Sequence, residues 1–243
     1  MAGVDQVFRE KQDKSRDFTF DSTVAGVFDD MVERSVPFYS EIQRMVGELS
    51  RDFAQENTAV YDLGCSTGTS LALLHPLLPP SVSLVGIDNS EAMLDEARQK
   101  LAPIAETRRL SLQYGQIEDL APPENASVVL MLLTLQFVRP LQREKIIQRI
   151  HQGLQPQGVL IVVEKLLCAD SRLNRLYIEH YYDYKRRQGY SEMEISQKRE
   201  ALENVLVPYR PEENVALMRG AGFAHVEDFF RWYNFNGFIA VKA

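Results

Sequence analysis

Apolar residues from position 58 onward fall into short continuous runs that alternate with longer stretches of helical periodicity. Short apolar runs between helices are typical of strands that are buried on both faces of a parallel sheet. The sequence therefore predicts an α/β fold with a doubly wound, mostly parallel sheet. The predicted strands are 59–63, 82–88, 109–114, 128–133 and 159–164, and the predicted helices are 71–78, 90–101 and 139–154, the last ended by a turn at 155–158.

Three further segments surround this alternating pattern. Residues 1–21 form a polar arm, in which residues 18–20 (Phe-Thr-Phe) either pack or line a site. Residues 22–53 have a helical periodicity that Pro37 interrupts, so they predict two helices ahead of the first strand. Residues 168–206 are helical and rich in Tyr, Arg and Glu, and we interpret them as an insertion that lies over the sheet.

The last part of the chain returns to the sheet. A helix is predicted at 211–221, and two strand-like runs, 225–232 and 235–241, are joined by a tight turn near Asn234. This arrangement predicts an antiparallel hairpin at the sheet edge, which makes a seven-stranded sheet. We expect a single domain over residues 1–243, with a helical cap (1–56), a core (57–167 and 207–243) and a helical insertion (168–206).

Charge argues against one class of partner. The formal net charge is -7 and the calculated pI is about 5.2. An acidic surface repels a phosphate backbone, so we expect no direct contact with nucleic acid. The densest basic run, Lys185-Arg186-Arg187, lies in the predicted insertion, and we interpret it as a solvated helix face.

Neither a membrane nor a metal is expected as a partner. No apolar run approaches the ~20 residues that cross a bilayer, and the N-terminal region has no apolar stretch typical of a signal peptide. The two cysteines, Cys65 and Cys168, and the four histidines show no metal-ligand spacing. We therefore expect reduced thiols and a cytoplasmic location.

The loop after the first predicted strand is the strongest candidate site. It reads Asp62-Leu63-Gly64-Cys65-Ser66-Thr67-Gly68, and an α/β sheet binds nucleotide-like ligands at this connection. Gly64 and Gly68 permit a tight turn and close backbone approach. The loop departs from the dinucleotide pattern G-x-G-x-x-G, and Asp62 places an anion beside it. A cationic sulfonium amino acid therefore suits this loop better than a pyrophosphate does.

Asp88 strengthens this interpretation, because it ends the second predicted strand, where a carboxylate can bind both ribose hydroxyls. Together the loop and Asp88 indicate S-adenosylmethionine and a Rossmann-like methyltransferase fold. In that fold, residues 115–117 would flank the adenine and residues 132–136 would flank the sulfonium. Cys65 has no histidine nearby in sequence, so we do not expect it to act as a nucleophile.

With these motifs in view, the chain resembles the carboxy-S-adenosyl-L-methionine synthase family over nearly its whole length. Generic methyltransferases share the glycine loop but lack the most specific stretch, which lies between Gly189 and Val205. The motifs that carry the resemblance include Arg34-Ser35-Val36-Pro37 with Tyr39, the loop at 60–66, Ile87-Asp88-Asn89-Ser90, Thr134-Leu135-Gln136-Phe137 and Glu194-Ile195-Ser196-Gln197-Lys198-Arg199.

The resemblance implies an activity. Family members deprotonate the S-methyl group of S-adenosylmethionine and let it capture the CO2 that prephenate releases on becoming phenylpyruvate. The product, carboxy-S-adenosyl-L-methionine, is used to modify the wobble uridine of bacterial transfer RNA. It carries a carboxylate next to the sulfonium, so a site that prefers the product needs a fixed positive donor.

The resemblance also assigns residues to the site. Arg199 matches the family arginine that meets the new carboxylate, and we treat it as the catalytic residue. In the family this arginine comes from the neighbouring subunit, which implies a homodimer with a shared site. Because prephenate is a dianion, Lys165 and Arg34 are further candidate cations. The expected cofactor-binding residues are Tyr39, Gly64, Cys65, Ser66, Asp88, Asn89, Gln116, Ile117, Leu132 and Arg199.

Two positions depart from the family pattern. Gln116 stands where the family usually has Asp before the isoleucine that meets the adenine, and Leu132 stands where it usually has Asn. Leu132 keeps two alternatives open: an ordinary methyltransferase of a small molecule that uses S-adenosylmethionine, and a non-catalytic cofactor-binding subunit. Arg199 and the motif around it favour carboxyl transfer from prephenate.

Overall fold

The computed structural model describes residues 3–10 and 17–243, so positions 1, 2 and 11–16 of the predicted polar arm lie outside the described residues. The order across the sheet is β3-β2-β1-β4-β5-β7-β6. Neighbouring strands are parallel except for β7, which pairs antiparallel with both β5 and β6. The predicted α/β sheet and its C-terminal hairpin are confirmed. The strands are β1 (Ala59–Leu63), β2 (Ser83–Asp88), β3 (Leu110–Tyr114), β4 (Ala126–Leu132), β5 (Leu154–Lys165), β6 (His225–Trp232) and β7 (Phe235–Val241).

Helices cover both faces of this sheet and its carboxyl edge. Among the described residues, no helix combines the length and the apolar character that crossing a bilayer requires. The helices are α1 (Ser22–Ala25), α2 (Phe28–Ser35), α3 (Tyr39–Phe53), α4 (Thr69–Leu74), α5 (Glu91–Ala105), α6 (Pro140–Gly153), α7 (Ser171–Arg187), α8 (Glu192–Leu202) and α9 (Pro211–Gly220).

The cap contains three helices, so the prediction of two was wrong. The Asp21 side chain accepts hydrogen bonds from the backbone amides of Thr23 and Val24 and thereby starts α1 as a separate turn. The chain then bends at Gly26 before α2 begins. The predicted break at Pro37 is confirmed, and the next residue, Phe38, adopts a left-handed backbone with φ of 56°.

Two predicted boundaries are wrong for reasons that lie elsewhere in the chain. Helix α4 ends at Leu74 instead of continuing to residue 78, because the buried guanidinium of Arg108 draws the carbonyls of His75 and Leu78 toward itself. The predicted turn at 155–158 belongs to the start of β5, where Gln157 has a left-handed φ of 63°. Long-range contacts override the local pattern at both places, because Arg108 acts at the first and the Lys242 carbonyl accepts from the Gln157 amide at 3.2 Å at the second.

The central strands are buried on both faces, as a parallel sheet between helices requires. Successive residues of β1, Val60 and Leu63 among them, contribute to two different apolar clusters on opposite sides of the sheet. A third cluster joins the cap and the insertion, since Phe8, Phe18 and Ala201 pack together in it. The cap and the insertion are therefore held to each other as well as to the sheet.

One ion pair fastens the cap to the loop that follows β1. The Lys100 ammonium, on α5, donates to the Asp29 carboxylate at 2.6 Å. It also donates to the hydroxyls of Thr67 and Thr69 at 3.0 and 2.7 Å. Asp29 accepts from both of these threonines as well. Four side chains from three elements thus fix the position of the loop.

We expect Lys100→Met to lower the free energy of unfolding by about 1 to 2 kcal/mol, because Asp29 and two hydroxyls lose a charged donor in a partly buried place. Urea denaturation followed by circular dichroism measures this change. The matched control is Arg44→Met, since Arg44 forms ion pairs with Glu41 and Glu48 that are exposed. The control should leave the midpoint unchanged, and equal effects of the two substitutions would contradict the assignment.

Candidate active site

A cavity of about 750 Å³ opens at the carboxyl edge of the sheet, between the cap and the insertion. Parallel α/β sheets bind ligands at this edge. Phe18 and Phe20 line the cavity, so these two side chains contribute to the site as well as to packing. The predicted site residues that line it are Tyr39, Gly64, Cys65, Ser66, Asp88, Asn89, Ile117, Leu132 and Arg199.

Steric constraints require glycine at positions 64 and 68 of the loop. Gly64 has φ of 80°, and a Cβ at this position would lie 2.5 Å from the Thr134 hydroxyl. Gly68 has φ of 76°, and a Cβ there would lie 2.7 Å from Leu101. The amides of Gly64 and Cys65 both donate to the carbonyl of Ile87, at 2.8 and 3.0 Å. The loop is thus tied closely to β2, where Asp88 follows.

Asp88 is held by the backbone on both of its oxygens. The Ser66 amide donates to Oδ2 at 2.9 Å, and the Ser90 amide donates to Oδ1 at 2.9 Å. Burial raises the pKa of Asp88, although these amide bonds act in the opposite direction. The carboxylate is therefore oriented before any ligand binds, and it keeps lone pairs that face the cavity.

Asp62 lies near the carboxyl end of β1, and fewer hydrogen bonds compensate its burial than compensate that of Asp88. It is buried and lines the cavity, yet in the part of the chain that the structure describes no side chain or amide donates to its carboxylate. Burial, and secondly the charge of Asp88, raise the pKa of Asp62 to about 7. A cationic ligand group at this position would relieve both penalties, so the residues present fit the ammonium and sulfonium of S-adenosylmethionine.

Tyr39 offers a neutral donor beside these carboxylates. Its hydroxyl oxygen accepts from the amide of Gln43 at 2.9 Å, and the same amide nitrogen donates to Ser70 at 3.0 Å. Burial raises the pKa of Tyr39, so the phenol stays protonated. Because its oxygen accepts from Gln43, the O–H of Tyr39 remains available to donate toward the cavity.

The buried thiol of Cys65 is unsuited to nucleophilic attack. Its side chain is 4% exposed, and burial raises the pKa of the thiol, with further contributions from the charges of Asp62 and Asp88. A thiol held protonated in this way is a packing group of the loop.

The structure places Gln116 outside the lining of the cavity. Its carbonyl Oε1 accepts from the Asn89 side-chain amide at 3.0 Å, so it orients Asn89. Ile117, which begins a short 3-10 turn, does line the cavity, and so does Glu118. Of these two neighbours, Ile117 lines the cavity and Gln116 does not.

The backbone immediately after β4 is strained. Leu132 ends β4, and Leu133 has a left-handed φ of 59°, which is unfavourable for a residue with a branched side chain. The Leu133 amide donates to the carbonyl of Val163 at 2.7 Å and holds this conformation. Gln136 spans the bend, since its amide donates to Leu133 O and its Oε1 accepts from the Lys165 amide.

Cationic side chains also line the cavity, and the charges of Lys165 and Lys198 act on Lys185. Lys165, Lys185, Lys198 and Arg199 all line it. Arg199 lies on α8 of the same chain and is mostly exposed, and its ion pair with Glu200 is 3.9 Å long. The cavity lining therefore combines Asp62 and Asp88 near the ends of β1 and β2 with cationic side chains at the end of β5 and on the insertion, and it also includes Glu118 and Glu203.

The structure corrects the predictions for two basic residues, Arg34 and Lys185. Arg34, a candidate cation for prephenate, does not line the cavity, because it forms an ion pair with Asp30 at 2.8 Å and stacks on the Tyr190 ring. The interpretation of Lys185 as part of a solvated face was wrong, since this residue is 5% exposed. Its neighbours Arg186 and Arg187 are exposed, as predicted.

Lys185 and Lys198 line the cavity, although neither was predicted as a site residue. A signal for Lys185 was present, because it follows Tyr181 by four positions and must share a helix face with that aromatic residue. For Lys198 the only local signal was its place beside Arg199 in the most specific motif.

Known proteins with similar folds show the fold class to which this chain belongs. A family model described as a methyltransferase domain matches residues 60–158. An O-methyltransferase family protein from Burkholderia thailandensis superposes with a TM-score of 0.67 at 16% identity, covering 95% of this chain and 65% of that one. Human N-acetylserotonin methyltransferase, solved with S-adenosylmethionine, gives 0.61 at 16% identity, covering 91% and 55%. The predicted Rossmann-like methyltransferase fold is thereby confirmed.

Closer relatives show the particular family. The carboxy-S-adenosyl-L-methionine synthase of Methylococcus capsulatus is 51% identical over 239 residues, which cover 98% of this chain and 99% of that protein. The synthase of Wolinella succinogenes is 47% identical, with 98% of each chain covered. The chain therefore belongs to the carboxy-S-adenosyl-L-methionine synthase family. This confirms the predicted family, the transferase class and the S-adenosylmethionine cofactor.

We expect Asp62→Asn to weaken S-adenosylmethionine binding by roughly tenfold to a hundredfold, because a charged partner of the ligand is lost. Isothermal titration calorimetry measures this affinity. In the unaltered protein a proton competes with the cationic ligand for Asp62, so affinity should fall as the pH is lowered through about 7. The variant should lose most of this dependence.

The control for this prediction is Asp52→Asn, which removes an exposed carboxylate on α3. It should leave both the affinity and its pH dependence unchanged. Wild-type affinity in Asp62→Asn would show that the buried carboxylate does not face the ligand.

Proposed function

We propose that this protein transfers the carboxyl group of prephenate to S-adenosylmethionine, which gives carboxy-S-adenosyl-L-methionine and phenylpyruvate, for modification of the wobble uridine in transfer RNA. The observation that carries the proposal is the charge of the cavity lining, which combines Asp62 and Asp88, near the ends of β1 and β2, with a cluster of lysines and Arg199. A cavity for S-adenosylmethionine and a neutral acceptor would have no use for the cationic cluster. The names of the relatives support the same reaction.

The residues have separate tasks in this proposal. S-adenosylmethionine supplies the sulfonium-activated methyl group that receives the carboxyl. Asp62 faces the cationic part of this substrate, Asp88 accepts its ribose hydroxyls, and Tyr39 donates its phenolic hydrogen beside them. Gly64, Cys65 and Ser66 allow close backbone approach, while Asn89, Ile117 and Leu132 complete the walls. Gln116 acts indirectly, because it orients Asn89.

Arg199 is the residue that we assign to the new carboxylate. A guanidinium offers a carboxylate two parallel hydrogen bonds, which an ammonium does not. The exposure of its side chain, 60%, and its long ion pair with Glu200 leave it able to turn toward a ligand in the cavity mouth.

We propose a cytoplasmic homodimer, as the resemblance implies. Large apolar side chains are exposed on α7 and at the hairpin turn, namely Leu173, Leu176 and Tyr233, and a second copy of the chain could cover them. Arg199 lines the cavity of its own chain. Donation of this arginine across the interface stays a prediction.

One observation favours the second candidate, a small-molecule methyltransferase. Leu132 puts an apolar side chain at the end of β4, beside the position of the sulfonium, where the family usually has a polar one. In that case the insertion would act as a lid over the acceptor molecule.

Mass spectrometry separates these candidates. The protein is purified without added ligand and denatured, and the released nucleosides are analysed. A species heavier than S-adenosylmethionine by one CO2 is expected. Recovery of S-adenosylmethionine or its demethylated product alone, together with no phenylpyruvate formed from prephenate, would favour a methyltransferase or a non-catalytic cofactor-binding subunit.

We expect Arg199→Ala to retain the affinity for S-adenosylmethionine but to lose a tenfold to hundredfold preference for the carboxylated form, because only that form carries the anion. Competition calorimetry with both nucleosides gives the ratio. Arg219→Ala, an exposed position on α9 and away from the proposed dimer surface of α7, is the control and should keep the preference. An unchanged ratio in Arg199→Ala would remove Arg199 from this role.

A further inference from the structure

Three lysines converge on the cavity from three different elements. Lys165 ends β5, Lys185 lies on the last turn of α7, and Lys198 lies on α8. Lys185 and Lys198 are 5% and 7% exposed. Lysines are rarely buried to this degree without a partner, because removing an ammonium from water is unfavourable.

Among the described residues, the ammonium groups of Lys165 and Lys185 have no hydrogen-bond acceptor. The Nζ atoms of Lys165 and Lys185 lie 5.0 and 4.9 Å from the centroid of the Tyr181 ring. Apart from this ring, no carboxylate, hydroxyl or carbonyl of the described residues accepts a hydrogen bond from either group. A π face offers less than a hydrogen-bonding anion, so both ammonium groups keep donors for a ligand.

The ammonium group of Lys198 has a hydrogen-bond acceptor. A series of polar contacts connects it to the N-terminal segment. Its Nζ donates to Ser35 at 3.1 Å, and the hydroxyls of Ser35 and Tyr190 are 3.4 Å apart. The Tyr190 hydroxyl in turn donates to Asp5 at 2.6 Å. The polar network therefore ends on a single buried carboxylate, that of Asp5.

The local charges do not cancel. Asp5 is the carboxylate whose charge acts on both Lys185 and Lys198, and Arg34 nearby is neutralised by Asp30. Among the described residues, Asp5 is the one carboxylate whose charge acts on these lysines, so three protonated ammonium groups leave a surplus of two positive charges (3 − 1 = 2). Burial lowers the pKa of Lys165 and of Lys198 to about 8, and burial and the other two lysines lower that of Lys185 further.

We infer that Lys165, Lys185 and Lys198 form a subsite that binds the two carboxylates of a cyclic dicarboxylate, distinct from the Arg199 position. The identity of this ligand as prephenate rests on the proposed function. Its two negative charges match the surplus of the lysines, and the side chains of Tyr181, Val36 and Phe235 supply apolar walls for its ring. The aspartates and the lysine cluster thus sort the two substrates by charge.

The test is the binding of prephenate, measured by calorimetry, to protein saturated with S-adenosylhomocysteine, which lacks the methyl group that would receive the carboxyl group and so allows no reaction. We expect Lys165→Met and Lys185→Met each to weaken prephenate binding tenfold to a hundredfold and to affect phenylpyruvate, a monoanion, less. The affinity for S-adenosylmethionine should stay the same. Methionine keeps the length of the side chain and removes a buried charge, so the thermal midpoint should not fall. Lys145→Met, an exposed position on α6, is the control.

Proton uptake provides a second readout. A dianion beside the lysines raises their pKa, so wild-type protein at pH 8 should take up protons when prephenate binds. Titration in buffers of different ionisation enthalpy measures this number. The groups that face the lysines, Asp5, Arg34, Ser35, Tyr181 and Tyr190, are the same in the variants, which should therefore take up fewer protons because a lysine is missing.

The results of these experiments distinguish a failure of the lysine subsite from a failure of the proposed reaction. If the product forms but the lysine variants bind prephenate as the wild type does, the subsite is wrong and the reaction stands. If prephenate binds in a lysine-dependent manner but no carboxylated product forms, the subsite stands and the reaction is wrong. If wild-type protein does not bind prephenate, both are wrong.

Discussion

The arrangement of this protein depends on keeping opposite charges apart within one buried cavity. Asp62 and Asp88 stand at the ends of neighbouring parallel strands, close enough for Asp88 to raise the pKa of Asp62. The same cavity is lined by Lys165 at the end of β5 and by Lys185 and Lys198 of the insertion, and burial lowers the pKa values of these lysines. Each cluster is unfavourable alone, because burial and like charge both oppose ionisation. Ligands of complementary charge would relieve both clusters at once, which gives the cavity its selectivity.

Elsewhere in the molecule, buried arginines donate hydrogen bonds to backbone carbonyls instead of binding a ligand. Arg108 donates to four carbonyls between His75 and Val82, and thereby shapes the segment that joins α4 to β2. Arg143 donates to the carbonyls of Gln136, Val138 and Val207, so the bend after β4 is joined to the segment that follows the insertion. These arginines set the shape of the loops that carry the site, which helps to maintain the strained backbone at Leu133.

The cap and the insertion depend on each other. The Phe18 amide donates to Ala201 O at 2.9 Å, and Gln197 donates to the carbonyl of Phe8 at 2.8 Å. The N-terminal segment also contributes Asp5, which compensates part of the charge of the lysines. The closed side of the cavity is thus assembled from regions that are nearly 200 residues apart in sequence.

The sequence by itself determined the sheet, the glycine loop with Asp88, and the family, because these depend on periodicity, turn chemistry and contiguous motifs, all of which are local. Tertiary structure decided which charges are buried. Lys185 and Arg186 are adjacent, yet one faces Tyr181 in the cavity and the other pairs with Asp183 and Glu192 at the surface. The same holds for the end of α4, for Arg34 and for Gln116. In each case the environment of a side chain depends on a partner that is remote in sequence, and no local pattern encodes that partner.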